Sequence, residues 1–261
     1  MILDIYKDSL EYAIKDGTAI LKLGLMSILS FLILPIFLFF GYNYRVIKTA
    51  THGTINGDDD VPNFDDLVSM FIEGIQVFLI KFIYSIIPML TFFILLVIGG
   101  SLGEFNDELG NVVVILGMII TIIVAIISAL FALLAIPRMA YNDDSIKEAF
   151  NFKEIFDSIK LIGVLRLIGF LIGLLIIGIV IVSVITGIFL LAFGLIGGLG
   201  AFIASWDGAL FGLFSSFSHF GTMVFASFIV LFIIYSIIIT PFLNILNNRA
   251  IGLIYEELDN N

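Results

Sequence analysis

Cysteine is absent from this 261-residue sequence, which excludes disulfides, thiolate zinc sites and cysteine nucleophiles. Charged residues are scarce as well, at 13% against about 25% in an ordinary soluble domain. Only twelve lysines and arginines occur, and because they are scattered we expect no nucleic-acid partner. The net charge of −10 comes from acids between apolar stretches. What the sequence has in excess is hydrophobic residues, at 61%.

Four apolar runs are too long for the core of a soluble domain. They lie at Ile20–Phe40, Val77–Gly100, Val112–Pro137 and Leu161–Leu246. About 18 apolar residues suffice for a helix to cross a hydrocarbon core of about 30 Å. A helix also satisfies each backbone polar group within its own segment. The sequence therefore predicts an all-α, polytopic transmembrane helical bundle of about five spans, with a range of four to six, and no cleaved signal peptide.

The chain is interpreted as one integral membrane domain, residues 1–261. Its predicted spans are residues 20–42, 77–100, 112–137, 163–192 and 222–246. For the first, a full span is preferred, and a re-entrant segment bent at Pro35 is the alternative. As one helix, Leu161–Gly200 would reach about 60 Å, twice what the bilayer needs. We therefore expect a turn at Gly194–Gly200, followed by a short, partly embedded helix over Phe202–Phe217.

Amphipathic helices are predicted between the spans. Residues 1–19 alternate apolar and charged residues at helical spacing, which indicates a helix at the membrane surface. Two further helices are expected to begin at Asn63 and Asn151, each a candidate N-cap followed by phenylalanine and, at the third position, an acid. An internal duplication relating 20–100 to 112–192 is one interpretation of this echo, and chance is the other.

The basic residues predict the orientation in the membrane. Arg45, Arg138 and Arg249 follow the first, third and last predicted spans, whereas Ser101–Asn111 and Leu199–Gly221 contain no lysine or arginine. By the positive-inside tendency the arginine-bearing ends are cytoplasmic. If the first segment crosses fully, the N-terminal helix falls outside, and its lysines then contradict that tendency.

No motif for chemistry is recognisable, so we expect no catalytic residue, no cofactor, no metal site and no enzyme. The acidic loop Asn56–Asp66 lacks the pattern of an EF-hand and is interpreted as a solvated charge run. Candidate contacts to lipid headgroups or an interface are arginines and phenylalanines near the span ends: Arg45, Phe64, Arg138, Phe152 and Arg166. Candidate helix-packing residues are glycines four apart in the apolar runs: Gly169, Gly173, Gly194 and Gly198.

Two short motifs carry a family resemblance. They are Gly41-Tyr42-x-x-Arg45-Val46 and Pro62-x-Phe64-Asp65-Asp66, followed by Gly74, Tyr84 and Pro88. Together they resemble a prokaryotic, largely archaeal membrane family known as domain of unknown function 4013, best over about residues 20–90. The resemblance implies a multi-span membrane protein with no established activity and no assigned catalytic residues.

The leading hypothesis is a non-enzymatic, multi-pass protein of the cell membrane. Its amphipathic helices would engage membrane lipid or a protein partner on the cytoplasmic face. The alternative is a small transporter or permease subunit, motivated by the suspected repeat and the glycine-rich segment Gly194–Gly200. Mid-membrane polar residues are few, which ranks the transporter second. Homo-oligomerisation is left open.

Overall fold

The computed structural model describes residues 2–206 and 225–257, with side chains at 2–195 and 225–257. The helices are α1 (Ile2–Ala13), α2 (Gly17–Ile28), α3 (Ile33–Thr51), α4 (Leu67–Gly103), α5 (Asp107–Tyr141), α6 (Phe152–Ile162), α7 (Val164–Trp206) and α8 (Phe225–Glu256). No strand occurs within these ranges. Four helices, α4, α5, α7 and α8, are long and apolar enough to cross a membrane, which confirms the all-α transmembrane class.

The buried core lies at one end of these long helices. Only 11% of the most apolar stretch of α4, α5 and α7 is buried, so these helices present apolar side chains along most of their length. Such a surface requires a hydrocarbon environment. The fully buried side chains instead gather where α1 and α6 meet the adjoining ends of α3, α4, α5, α7 and α8. We call this end the head.

The first predicted span, residues 20–42, is not a continuous helix. After α2 the chain makes a 3₁₀ turn at Leu29–Phe31, and Leu32 is extended before α3 begins. Pro35 lies in the first turn of α3, where its missing N–H needs no partner. In an unbroken helix its ring would meet the carbonyl of Phe31, four residues earlier, which gives a physical reason for the break.

Both ends of this broken segment lie at the head. Lys15, just before α2, donates from Nζ to Asp58 Oδ1 (3.0 Å) and to the Asp59 carbonyl (2.8 Å), just after α3. The predicted full span is therefore corrected to a helical hairpin of α2 and α3 whose ends are adjacent. This arrangement matches the re-entrant alternative, with the bend at Leu29–Leu32 rather than at Pro35.

α4 runs away from the head and α5 returns to it, and α7 and α8 do the same. The end of α8 therefore lies beside α1. Buried Asp8 of α1 accepts a hydrogen bond from Arg249 of α8 at 2.9 Å. The lysines of α1 are thus at the same end as Arg45, Arg138 and Arg249. The conflict with the positive-inside tendency disappears, because no extra crossing separates them.

A labelling experiment tests this topology. Lys7 of α1 is exposed at the head, and Phe105, 88% exposed, lies in the turn between α4 and α5 at the far end. We expect Lys7→Cys to be protected from an impermeant maleimide in intact cells and Phe105→Cys to react, because the sequence has no native cysteine. Detergent-permeabilised cells are the control, in which both should react. Labelling of both sites in intact cells would contradict the hairpin.

The predicted turn at Gly194–Gly200 is wrong. The backbone of α7 remains α-helical through these glycines to Trp206. A glycine lowers helix stability by only about 1 kcal/mol relative to alanine. A turn in an apolar environment would leave several backbone groups without partners, which costs more. The helix predicted over Phe202–Phe217 continues α7 as far as Trp206, and its remainder lies outside the described residues.

The two predicted asparagine caps do not act alike. α4 begins after Asp66, whose φ is 42° and whose side chain accepts from Ser69 N at 3.2 Å, so the cap is Asp66 rather than Asn63. α6 begins after Asn151 as predicted, but that side chain donates to Glu148 at 3.2 Å and caps no backbone group. The internal duplication stays a prediction.

Pro88 lies inside α4 and leaves the carbonyl of Tyr84 without its helical N–H partner. The hydroxyl of Ser128, on α5, donates to this carbonyl. The Tyr84 hydroxyl donates in turn to the Ala149 carbonyl in the head at 2.8 Å. The carbonyl of α4 that Pro88 leaves without a helical partner thus receives a hydrogen bond from the neighbouring helix α5.

A double-mutant cycle tests this compensation. Ser128→Ala should lower the free energy of unfolding by about 1–2 kcal/mol, because a buried carbonyl loses its partner. In a Pro88→Ala background the residue at 88 supplies an N–H, so the same Ser128→Ala change should cost at least about 0.5 kcal/mol less. Denaturant unfolding in detergent measures all four variants. Equal costs in both backgrounds would refute the compensation.

Candidate functional site

The motif residues meet where α3 crosses α4. A Cβ built on Gly41 would lie 1.8 Å from the Met70 carbonyl oxygen, and one on Gly74 would lie 1.8 Å from that of Phe37. The two backbones are therefore in direct contact. Beside them, the ring of Tyr42 stacks on Phe64 with centroids 4.2 Å apart.

Arg45 stabilises the same crossing through hydrogen bonds. Its Nε donates to Glu73 Oε2 at 2.8 Å, and its Nη1 donates to the carbonyl of Asp65 at 2.7 Å. Nη2 approaches the Asp66 carbonyl at 3.3 Å. The guanidinium thus holds the start of α4 against the end of α3. Arg45 was expected to contact headgroups, but its hydrogen bonds are directed into the protein.

Arg138 and Arg166 are also paired within the chain. Arg138 Nη2 donates to Glu148 at 2.5 Å, and this bond keeps the pKa of the Glu148 carboxyl below its usual range. Arg166, at the start of α7, donates from Nη2 to both carboxylate oxygens of Glu257, at 2.7 and 2.8 Å. Its side chain is 33% exposed, and its Nε and Nη1 have no partner in the described part of the chain. Arg166 therefore keeps donors for a further ligand.

The most buried charge is one that the sequence reasoning did not select. Arg249 is fully buried, with Nε 2.9 Å from Asp8 Oδ1 and Nη2 2.7 Å from Asp59 Oδ2, and it lies over the ring of Tyr12 at 4.6 Å. Its Nη1 makes no hydrogen bond to the described residues. The acidic loop is therefore not simply solvated, because Asp59 closes this cluster and Asp58 pairs with Lys15.

Phe64 and Phe152 differ in exposure. Phe64 is half-buried between Tyr42 and the ammonium of Lys22, 5.3 Å from its ring. Phe152, at the start of α6, is 51% exposed and borders an apolar slot of about 240 Å³ between α4 and α5. Phe152 is thus accessible to contacts outside the protein, whereas Phe64 packs against other residues of the chain.

The predicted packing glycines are mostly not at helix contacts. Gly173 lies against the Tyr6 ring of α1, where a Cβ would come within 2.1 Å of the hydroxyl, but Gly169 and Gly194 face open space. Gly198 lies in α7 beyond the described side chains. Close backbone approaches occur instead at other glycines, on α2, α3, α4, α5 and α8: Gly24, Gly41, Gly74, Gly110 and Gly252. Spacing alone did not distinguish these, because each needs a partner helix from elsewhere in the chain.

A lateral groove of about 470 Å³ separates α7 from α8. Its walls are apolar except for one amide: Leu171, Leu174, Leu175, Gly178, Ile179 and Val182 on α7, and Leu243, Asn247 and Ile251 on α8. Past the end of the groove that lies away from the head, the hydroxyls of Tyr235 on α8 and Thr186 on α7 form a hydrogen bond of 2.5 Å. Tyr235 is the first residue of a π-helical turn, Tyr235–Ile239. The sequence reasoning missed both features, since neither has a charge.

The family described as "Protein of unknown function (DUF4013)" matches residues 28–191, which include both motifs and the α3–α4 crossing. The chain belongs to this family. No curated protein and no solved structure matches it. In this DUF4013 member the motif residues Gly41, Arg45 and Gly74 make structural contacts at the α3–α4 crossing.

Proposed function

We propose that this DUF4013 protein is a non-enzymatic, multi-pass protein of a prokaryotic cell membrane whose head binds membrane lipid. One observation carries the proposal: α6 is held at the head with an apolar stripe and two lysines facing outward. The head is assigned to the cytoplasmic side by its arginines and lysines.

The two faces of α6 differ sharply. Ile155, Ile159 and Ile162 are buried against the head, which fixes the helix in place. Phe152 is 51% exposed and Phe156, four residues later on the same face, is 47% exposed. An amphipathic helix with aromatic and aliphatic residues outward, beside basic residues, is typical of one lying at a membrane interface.

Lysines accompany this apolar stripe. Lys160 Nζ lies 4.2 Å from the centroid of the Phe156 ring, and Lys153 lies on the exposed side of the first turn. A lysine close to an anionic bilayer surface contributes about 1 kcal/mol of attraction. Lipid with anionic headgroups is therefore favoured over a protein partner as the ligand of this face.

The transporter alternative loses one of its two supports. The glycine-rich segment Gly194–Gly200 does not break α7, so no discontinuous helix surrounds a substrate site there. The suspected duplication remains as its other support.

Single cysteines on α6 test the proposal. We expect an environment-sensitive fluorophore at Phe152→Cys or Phe156→Cys to emit as in an apolar interface in liposomes of phosphatidylcholine and phosphatidylglycerol. The same fluorophore at Glu154→Cys, also on α6 and exposed, should report water. Lys153→Gln with Lys160→Gln should weaken the dependence on phosphatidylglycerol. Water-like emission at all three positions would refute the proposal.

A further inference from the structure

Lys81 is a cation on the spanning helix α4 that has no acidic partner in the described part of the chain. Its side chain is exposed and makes no hydrogen bond or ion pair with the described residues. The residues that follow it in α4, 82–103, include no charged side chain and extend about 33 Å, close to the thickness of a hydrocarbon core of about 30 Å. Lys81 therefore lies where α4 enters the hydrocarbon.

The ammonium of Lys81 is directed toward the head. Its Nζ lies 5.3 Å from the ring centroid of Phe40, which packs against the buried core of the head. A lysine at the edge of the hydrocarbon keeps its methylene chain in apolar surroundings and carries its charge to the level of the headgroups. The ring of Phe40 attracts a cation but has no net charge, so this ammonium lacks an anion.

Contacts of the neighbouring turn place Lys81 level with the start of α6. Tyr84, three residues further along α4, donates to the carbonyl of Ala149 at 2.8 Å, and its ring lies 6.0 Å from that of Phe152. Phe152 is the first residue of α6, the helix that the proposed function places at the membrane surface. The uncharged length of α4 and the position of α6 thus indicate the same membrane boundary.

The tip of the α2–α3 hairpin lies at this level too. α3 and α4 run antiparallel, and Phe37 contacts Gly74 where they cross. Four residues further toward the tip, Ile33 is therefore level with Phe78, about one turn before Lys81. The side chains of the tip are apolar and exposed: Phe31, Leu32, Ile33 and Leu34. Apolar side chains close to an unpaired ammonium favour an anionic amphiphile over a soluble anion, because only the amphiphile satisfies both.

We propose that Lys81 binds the phosphate of an anionic phospholipid in the leaflet next to the head, with the lipid chains against the tip of the α2–α3 hairpin. The inference rests on the proposed lipid-binding function and adds a contact that lies outside α6. Because the hairpin ends at the level of Lys81, it enters only this leaflet, whereas the four spanning helices cross the whole bilayer.

Variants of Lys81 that keep or remove the charge test this contact. Delipidated protein in detergent is titrated with palmitoyl-oleoyl phosphatidylglycerol and followed by native mass spectrometry. We expect a saturable adduct on wild type and about fivefold weaker binding in Lys81→Gln, which corresponds to the loss of about 1 kcal/mol of lysine–lipid attraction. Lys81→Arg keeps the charge and should retain the adduct. Lys147→Gln removes an exposed charge from the turn before α6 and should bind as wild type does.

A soluble competitor separates a lipid headgroup from a free phosphate. Glycerol phosphate supplies the same phosphate without acyl chains, and in excess it should not displace phosphatidylglycerol from wild type. Displacement would mean that Lys81 binds a soluble anion and would overturn the inference. Equal affinity of Lys81→Gln and Lys147→Gln for phosphatidylglycerol would also overturn it.

A depth measurement tests the inference without changing Lys81. A fluorophore at Phe31→Cys, in liposomes, should be quenched more strongly by lipids that carry a nitroxide near the carboxyl end of the acyl chain than by lipids that carry it near the methyl end. The opposite order would place the hairpin tip at the bilayer centre and would contradict the inference.

These outcomes are independent of the α6 experiment, which involves neither Lys81 nor the hairpin. An interfacial signal from α6 without an adduct that depends on the charge of Lys81 would leave the proposed function standing and reject the Lys81 contact. A water-like α6 with such an adduct would reject the α6 proposal alone.

Discussion

Arg249→Ala should be among the most destabilising single substitutions in this protein, lowering the free energy of unfolding by about 3–5 kcal/mol. The guanidinium is fully buried and holds Asp8 and Asp59 together. Its removal leaves the nearly buried carboxylate of Asp8 with only the backbone N–H of Asn56, 2.6 Å away, among its present partners. An unpaired carboxylate away from water costs far more than the lost hydrogen bonds alone. Denaturant unfolding in detergent, followed by circular dichroism, measures the effect.

Two further variants test whether the loss of stability in Arg249→Ala comes from a buried, unpaired charge. Lys7→Ala removes an exposed cation that pairs with Glu11 at 3.8 Å on the same helix as Asp8, and it should change stability by less than about 0.5 kcal/mol. Arg249→Met combined with Asp8→Ala removes both buried charges and should recover much of the loss. If the double variant were as unstable as Arg249→Ala, the buried charge would not be the cause.

Composition and the length of the apolar runs were enough to predict the class of fold. The predicted spans 77–100 and 112–137 lie within α4 and α5, and the predicted span 163–192 lies within α7 from residue 164 onward. The fourth, 222–246, lies within α8 from residue 225 onward. The class of fold is predictable in this way because a spanning helix depends on local hydrophobicity, with every backbone hydrogen bond inside the segment.

The first segment shows where local hydrophobicity is insufficient. Residues 20–42 are as apolar as a span, yet they form the bend between α2 and α3. Whether this segment spans or bends depends on Pro35 and on contacts from distant parts of the chain. Gly24 of α2, for example, approaches the carbonyl of Ile237 in α8 so closely that a Cβ on Gly24 would lie 2.2 Å from the oxygen. The carbonyl of Ile237 lies four residues before Pro241 and so lacks its usual N–H partner, which suits a close backbone approach.

The sequence predicts at which ends of the spans the arginines lie, but not which acids they pair with. Arg45, Arg138 and Arg166 were predicted near the cytoplasmic ends of the spans, and the structure places all three at the head. Their acids lie 28, 10 and 91 residues away in sequence, so no local spacing rule connects them. Whether an arginine faces a headgroup or a buried carboxylate depends on tertiary packing, and here all three pair with an acid of the chain.

Gly74→Ala should prevent the normal docking of α4 on α3, with a loss of at least about 3 kcal/mol in the free energy of unfolding. The added methyl would lie 1.8 Å from the Phe37 carbonyl oxygen, which belongs to the backbone and cannot rotate away. Separating the helices would also disturb the stack of Tyr42 on Phe64 and the bond from Arg45 to Glu73. Unfolding in detergent and the retention time on size exclusion measure the change.

Gly100→Ala is the control on the same helix. Gly100 of α4 has no atom near its added methyl, so the substitution should be neutral or stabilise α4 by up to about 1 kcal/mol through helix propensity. Gly41→Ala, on the opposite helix, should repeat the damage of Gly74→Ala, because its methyl would meet the Met70 carbonyl oxygen at 1.8 Å. A mild effect at both Gly41 and Gly74 would mean that the α3 and α4 backbones are not in contact, and the assignment of the family motif to this crossing would fail with it.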